Sequence, residues 1–164
     1  MSRPLTAAIA PALLAAAFLP AAAAGAAPAT AFTPAARVAS IDQAAREGAR
    51  IFAQDSFGSS RTWVPAHSMT SRPMSCAACH TDGGKSEGVT PAGKHLPSLI
   101  GAAASFPKVN PRNHAVYTLE RQIAHCVRGG VGGRPPAYGS PAMSDLVAYL
   151  TRLSKGATMG QQFK

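Results

Sequence analysis

The sequence predicts an all-α fold of short helices joined by long loops. Apolar residues recur at helical spacing in three separate segments, and no run of useful length alternates apolar with polar residues. The connections between those segments are rich in Gly, Ser and Pro. No internal repeat is visible.

Residues 1–27 have the pattern of a secretory signal peptide. Arg3 supplies a short positive start, residues 7–19 form an apolar run, and Ala24 or Ala27 offers a small-residue cleavage site. The competing pattern is an uncleaved anchor, for which the apolar run is short. Residues 28–39, mostly Pro, Ala and Thr, read as a linker. The expected layout is then one folded domain over residues 40–156 and a tail over 157–164. The remaining chain of about 135 residues suits one core and not two. No later stretch reaches the roughly 20 apolar residues of a membrane helix, so no membrane span is expected after cleavage, and the expected location is the periplasm.

The first helix is predicted to begin after Ser40. Ser40 and Gln43 have capping-box spacing, and IDQAAREGARIFAQ places Ile41, Ala44, Ala45, Gly48, Ile51 and Phe52 on one stripe over about 14 residues. Residues 55–75 and 81–94 carry turn residues and read as loop rather than strand. A second helix is predicted over residues 118–127, capped by Thr118, with Leu119, Ile123 and Cys126 or Val127 inward. The following RGGVGGRPPAYG interrupts every regular pattern. A last helix begins at Ser140 with Pro141 in its first turn; Met143, Leu146, Val147, Leu150 and Leu153 form its apolar face, and Gly156 closes it.

The chain carries 16 Lys and Arg against 7 Asp and Glu, a formal charge of +9. Removing the leader costs only Arg3, leaving about +8. Such a surplus steers acidic proteins or small anions toward the surface. Nucleic acid is not expected, because no basic cluster is interleaved with aromatics.

Residues 76–80 read C-A-A-C-H, the attachment signature of c-type haem. Cys76 and Cys79 lie three positions apart and can reach two vinyl groups, while His80 can turn a ring nitrogen to the iron. One covalently attached haem c is expected, and as a large apolar body it would supply part of the interior that these short helices lack. A thioredoxin-like motif would need a βαβ pattern, which is absent from the sequence. A zinc site could draw on Cys76, Cys79, His80 and Cys126, although adjacent ligands at positions 79 and 80 are awkward for a tetrahedron.

The second axial ligand is the more informative question, since it sets the potential. Residues 128–139, the loop before the last helix, contain no methionine. Cys126 follows His80 by 46 residues and is the third cysteine of three. A thiolate ligand favours ferric iron and a low potential. The competing places are an inert cysteine at 126 and ligation by Met143, His95, His114 or His125.

The ordered stretches GARIF, SCAACHTDGG, LPSLIGAAASFPKVNPR, TLERQIAHC and SPAMSDLVAYLTRLSKG resemble a haem domain of the bacterial dihaem thiosulfate dehydrogenases. They are also similar to the haem subunits of the Sox sulfur-oxidising system. The resemblance covers residues 46–156. It implies a class I cytochrome c fold, with the N-terminal helix crossing the C-terminal one through Gly48, Phe52, Tyr149 and Leu150. It also implies an iron-ligating cysteine at Cys126 and a substrate arginine at Arg112. The chain departs from the pattern at Gln122, where relatives hold an arginine and this chain has Arg121 one position earlier. It departs again over residues 128–133, where Gly and Val replace Ser and Met.

Two functions follow from the resemblance. One is a periplasmic monohaem cytochrome that transfers electrons in sulfur-compound oxidation, to a partner that is acidic or a second cytochrome. The other is a thiosulfate-oxidising enzyme or catalytic subunit, with Cys126 and Arg112, joined by Arg121 or Arg128, around a small sulfur anion. A haem-based sensor or a haem-free zinc protein stands third.

Overall fold

The computed structural model describes residues 40–64 and 72–160. The signal peptide and linker expected over residues 1–39 lie outside the described residues, as does the end of the tail from 161.

Helix α1, Ile41–Gln54, begins where Ser40 Oγ accepts the Gln43 amide at 3.2 Å. That bond satisfies one of the amides a helix start leaves unpaired. Ala44, Ala45, Gly48, Ile51 and Phe52 are buried, as the stripe predicts. Ile41, placed on the same stripe, is 72 % exposed, because it stands in the first turn, ahead of the buried stretch. Helix α2, Leu119–Cys126, is capped by Thr118, whose hydroxyl accepts the Arg121 amide. Helix α3, Pro141–Leu153, is capped by Ser140 at the Met143 amide, with Pro141 at N1, where a missing N–H costs nothing. It ends at Ser154 rather than Gly156; Gly156 follows at φ 86°, turning the chain away.

Helices α1 and α3 pack together. Gly48 permits their close approach: a Cβ there would sit 1.9 Å from the Asp145 carbonyl oxygen. Phe52 packs on Tyr149 with ring centroids 5.4 Å apart, and Arg152 pairs with Asp42 at 3.1 Å. The core beside this crossing gathers Ile51, Phe52, Met74, Ile123, Val127, Met143, Leu146 and Leu150. Met143 is 1 % exposed there, the side chain of a core residue.

Three short antiparallel ladders were not legible in the sequence. Strand β1, Thr62–Trp63, pairs with β2, Arg72–Pro73; β3, Gly88–Val89, with β4, His95–Leu96; and β5, Lys108–Val109, with β6, Val116–Tyr117. Two residues per strand cannot show a period of two, so the loop reading of these stretches is corrected only by the hydrogen bonds. The RGGV stretch is likewise not irregular. Residues Val127–Val131 continue α2 as a π-helical turn, which ends at Gly132 with φ 73°.

The first residues of the expected tail pack back on the domain, with the Gly160 amide donating to Ala104 O at 2.7 Å. Among the described residues no helix is long and apolar enough to cross a membrane.

Candidate haem attachment site

Cys76–Ala78 form one turn of 3₁₀ helix, closed by the Cys79 amide on Cys76 O at 3.2 Å and continued by the His80 amide on the same oxygen at 3.0 Å. Three residues per turn make positions i and i+3 eclipse, so Cys76 and Cys79 leave the backbone on the same side. Ser75 Oγ donates to Ala53 O at 3.0 Å and fastens the turn to the end of α1. On its other side the turn is pressed by Gly88, where a Cβ would lie 1.8 Å from Cys79 O. Only glycine lets β3 pass so close to the attachment residues.

None of the three cysteines is in a disulfide. Burial, with a smaller contribution from the charge of Cys126, pushes the Cys76 thiol up to about 12; the same two causes raise Cys79. Burial lowers the His80 pKa, so the ring is held neutral, the form in which imidazole ligates a metal. Its Nδ1 is buried without a hydrogen-bond partner. The ring stands 6.2 Å from Phe52, which itself leans on Tyr149; the Tyr149 hydroxyl donates to Gly83 O at 2.6 Å and ties down the loop after His80.

This donor set fits haem better than zinc. Among the described residues no three His, Cys, Asp or Glu side chains converge as ligands of one ion. A tetrahedral zinc needs its donors within about 2.0–2.3 Å of one point. A haem instead takes thioethers at its edge and axial ligands at its centre, so its donors stand apart. The zinc reading of Cys76, Cys79, His80 and Cys126 is not what the geometry offers.

Cys126 is the last residue of α2 and is exposed. Its Sγ receives a hydrogen bond from Gln122 Nε2 at 3.4 Å. The π-turn that follows is clamped from β1's approach: Arg61 Nη1 donates to Gly129 O at 3.1 Å and Gly130 O at 3.3 Å, and Ser59 Oγ donates to Val131 O at 2.6 Å. Gly132 takes φ 73°, the left-handed region that favours glycine, and packs beside the Arg61 side chain. Nothing in the sequence pointed to Arg61 or Ser59, which lie 68 to 72 positions from their partners. The Gln122 contact was legible in principle, since residues four apart share a helix face. Truncating Arg61→Ala is expected to cost about 1 kcal/mol, the value of exposed bonds to carbonyls, and to speed amide exchange over residues 127–133. Exchange unchanged in that turn would show that the clamp does not hold it.

The other candidate cations are exposed. Arg121 Nη1 donates to Val116 O at 3.2 Å and its guanidinium stacks on Tyr117 at 4.1 Å, so it does not stand in for the arginine absent at Gln122. Arg112 is exposed in the β5–β6 turn, its amide bonded to Asn110 Oδ1. That hairpin leads into the N-terminal end of α2, and Cys126 closes the other end, about 10 Å along the helix axis. Arg128 is exposed two residues after Cys126. His95, His114 and His125 are exposed.

Residues 62–159 match the model of the family described as SoxA/TsdA, cytochrome c domain. The thiosulfate dehydrogenase of Allochromatium vinosum is 29% identical over 87 residues, covering 53% of this chain and 31% of that protein. The thiosulfate dehydrogenase of Thiomonas intermedia is 32% identical over 89 residues, 54% of this chain and 26% of that one. This chain therefore spans under a third of either relative. Among solved structures, the thiosulfate dehydrogenase (TsdBA) of Marichromatium purpuratum superposes with a TM-score of 0.50 at 24% identity, over 80% of this chain and 28% of that one.

Proposed function

Because this chain belongs to the SoxA/TsdA cytochrome c domain family and has its class I cytochrome c fold, we propose that it is a periplasmic monohaem cytochrome that transfers electrons in sulfur-compound oxidation. In this reading Cys76 and Cys79 hold the haem by thioether bonds, and His80 and Cys126 are its axial ligands. The bound haem supplies one-electron ferric–ferrous chemistry. The chain's own residues do the rest. The 3₁₀ turn presents both thiols to one side, Phe52 and Tyr149 brace the loop around His80, and the Arg61 clamp fixes the turn beside Cys126.

The observation that carries this reading is the C-A-A-C-H turn, whose two thiols leave one side of the backbone next to His80 with its buried, unpartnered Nδ1, within a domain of the cytochrome c family. The surplus of 16 basic over 7 acidic residues favours an acidic redox partner, which includes a second cytochrome. The leader pattern of residues 1–27 supports export to the periplasm.

A second reading, oxidation of thiosulfate at the same haem, is favoured by the names of the two relatives. Joining two thiosulfates through a sulfur–sulfur bond releases two electrons, whereas one haem stores one, so this reading also requires an external acceptor. Two assays separate the readings. Protein matured with haem-attachment machinery should give the c-type pyridine haemochrome band, which a Cys76→Ala, Cys79→Ala variant should lose; absence of the band from the unaltered chain would sink both readings. Holoprotein that reduces ferricyanide with thiosulfate would establish the enzyme, and failure to do so, alone and with partner, leaves the carrier.

A further inference from the structure

We propose that Gln122 tunes the Cys126 sulfur as an uncharged hydrogen-bond donor, and thereby sets the potential of the iron that Cys126 ligates. The proposal rests on the axial role given to Cys126 above.

Gln122 and Cys126 stand four residues apart on α2, the spacing that stacks two side chains on one helix face. The amide nitrogen reaches Sγ at 3.4 Å, an ordinary N–H···S distance. The neighbouring side chains of α2 are committed otherwise. Ile123 and Ala124 are buried in the core, and Arg121 is held by Val116 O and the Tyr117 ring. Gln122 therefore has both the position and the free donor to reach the sulfur.

A hydrogen bond to a ligating sulfur draws charge density from it, so less reaches the iron and the ferrous state is less disfavoured. A neutral amide does this weakly, and a guanidinium in the same place would do it more strongly. The amide also adds no net charge beside the sulfur, so it holds no anion there by Coulomb attraction. Glutamine at this position therefore suits an electron carrier with a low potential better than a site that clamps a sulfur anion. Gln122 is thus a positioning residue that acts through Cys126.

The test uses holoprotein carrying Gln122→Leu, close in shape but without a donor, and Gln122→Arg, which keeps a donor and adds charge. Reduction potentials from redox titration should rise from the Leu variant through wild type to the Arg variant, and the near-infrared charge-transfer bands of the ferric form should shift with them. The Leu variant is also followed by thermal unfolding. The half-exposed position should leave its midpoint near that of the wild type, so that a lowered potential is not read from a damaged fold. Equal potentials in all three proteins, while Cys126→Met changes the spectrum, would overturn the role of Gln122 and leave the ligand assignment standing. A spectrum indifferent to Cys126→Met would overturn the ligand assignment and this inference with it.

Discussion

Replacing Cys126 with methionine is expected to raise the reduction potential of the holoprotein by a few tenths of a volt, within the ~0.8 V range that axial ligation spans. A neutral thioether stabilises ferric iron less than an anionic thiolate does. The polypeptide fold should tolerate the change, because Cys126 is the last residue of α2 and lies outside the cluster of buried core residues. The spectral change can therefore be read without damage to the fold. The matching control is Met143→Leu. Met143 is 1 % exposed among Val127 and Leu146, so the volume-conserving change should cost under about 1.5 kcal/mol and leave the charge-transfer bands where they are. Bands that moved with Met143 and stayed with Cys126 would exchange the two assignments.

Gly48→Ala is expected to destabilise the protein by about 3 kcal/mol, or prevent folding, although alanine is the better helix former by about 1 kcal/mol. The added methyl group would stand 1.9 Å from Asp145 O, 2.5 Å from Asp145 C and 2.8 Å from Tyr149 Cβ. Two of those atoms are backbone, so α3 would have to move as a body. That movement would carry Tyr149 away from Gly83 and loosen the support behind His80. Chemical denaturation checks the sign: a variant as stable as the wild type, or more so, would show that the crossing is looser than its geometry.

The three helices were legible because each start carries its own chemistry. Ser40, Thr118 and Ser140 cap helix starts that the sequence pattern marks, and the apolar stripes of α1 and α3 face the core as expected, with Val147 and Leu153 half-buried and Ile41 exposed. These are local facts, decided by residues three or four apart. Asp145 escaped notice because its burial follows from its place against α1 and not from its own character. The two-residue ladders escaped because they carry no pattern long enough to repeat. The π-turn escaped because its glycines spell a break, and what orders them is Arg61 and Ser59 from far along the chain.

For the site the division is the same. The sequence by itself determined the C-A-A-C-H turn, which needs only five adjacent positions, and it proposed Cys126 as a ligand by count and spacing. Only the tertiary structure decided what surrounds that cysteine. It turned Arg121 onto the β5–β6 hairpin, left Arg112 exposed in the turn of that hairpin, and put the Gln122 amide on Sγ. Side chains on a helix point where packing and partners send them, and a shift of one position rotates a side chain by about 100°. A motif fixes which groups are present, whereas their convergence is a property of the packed chain.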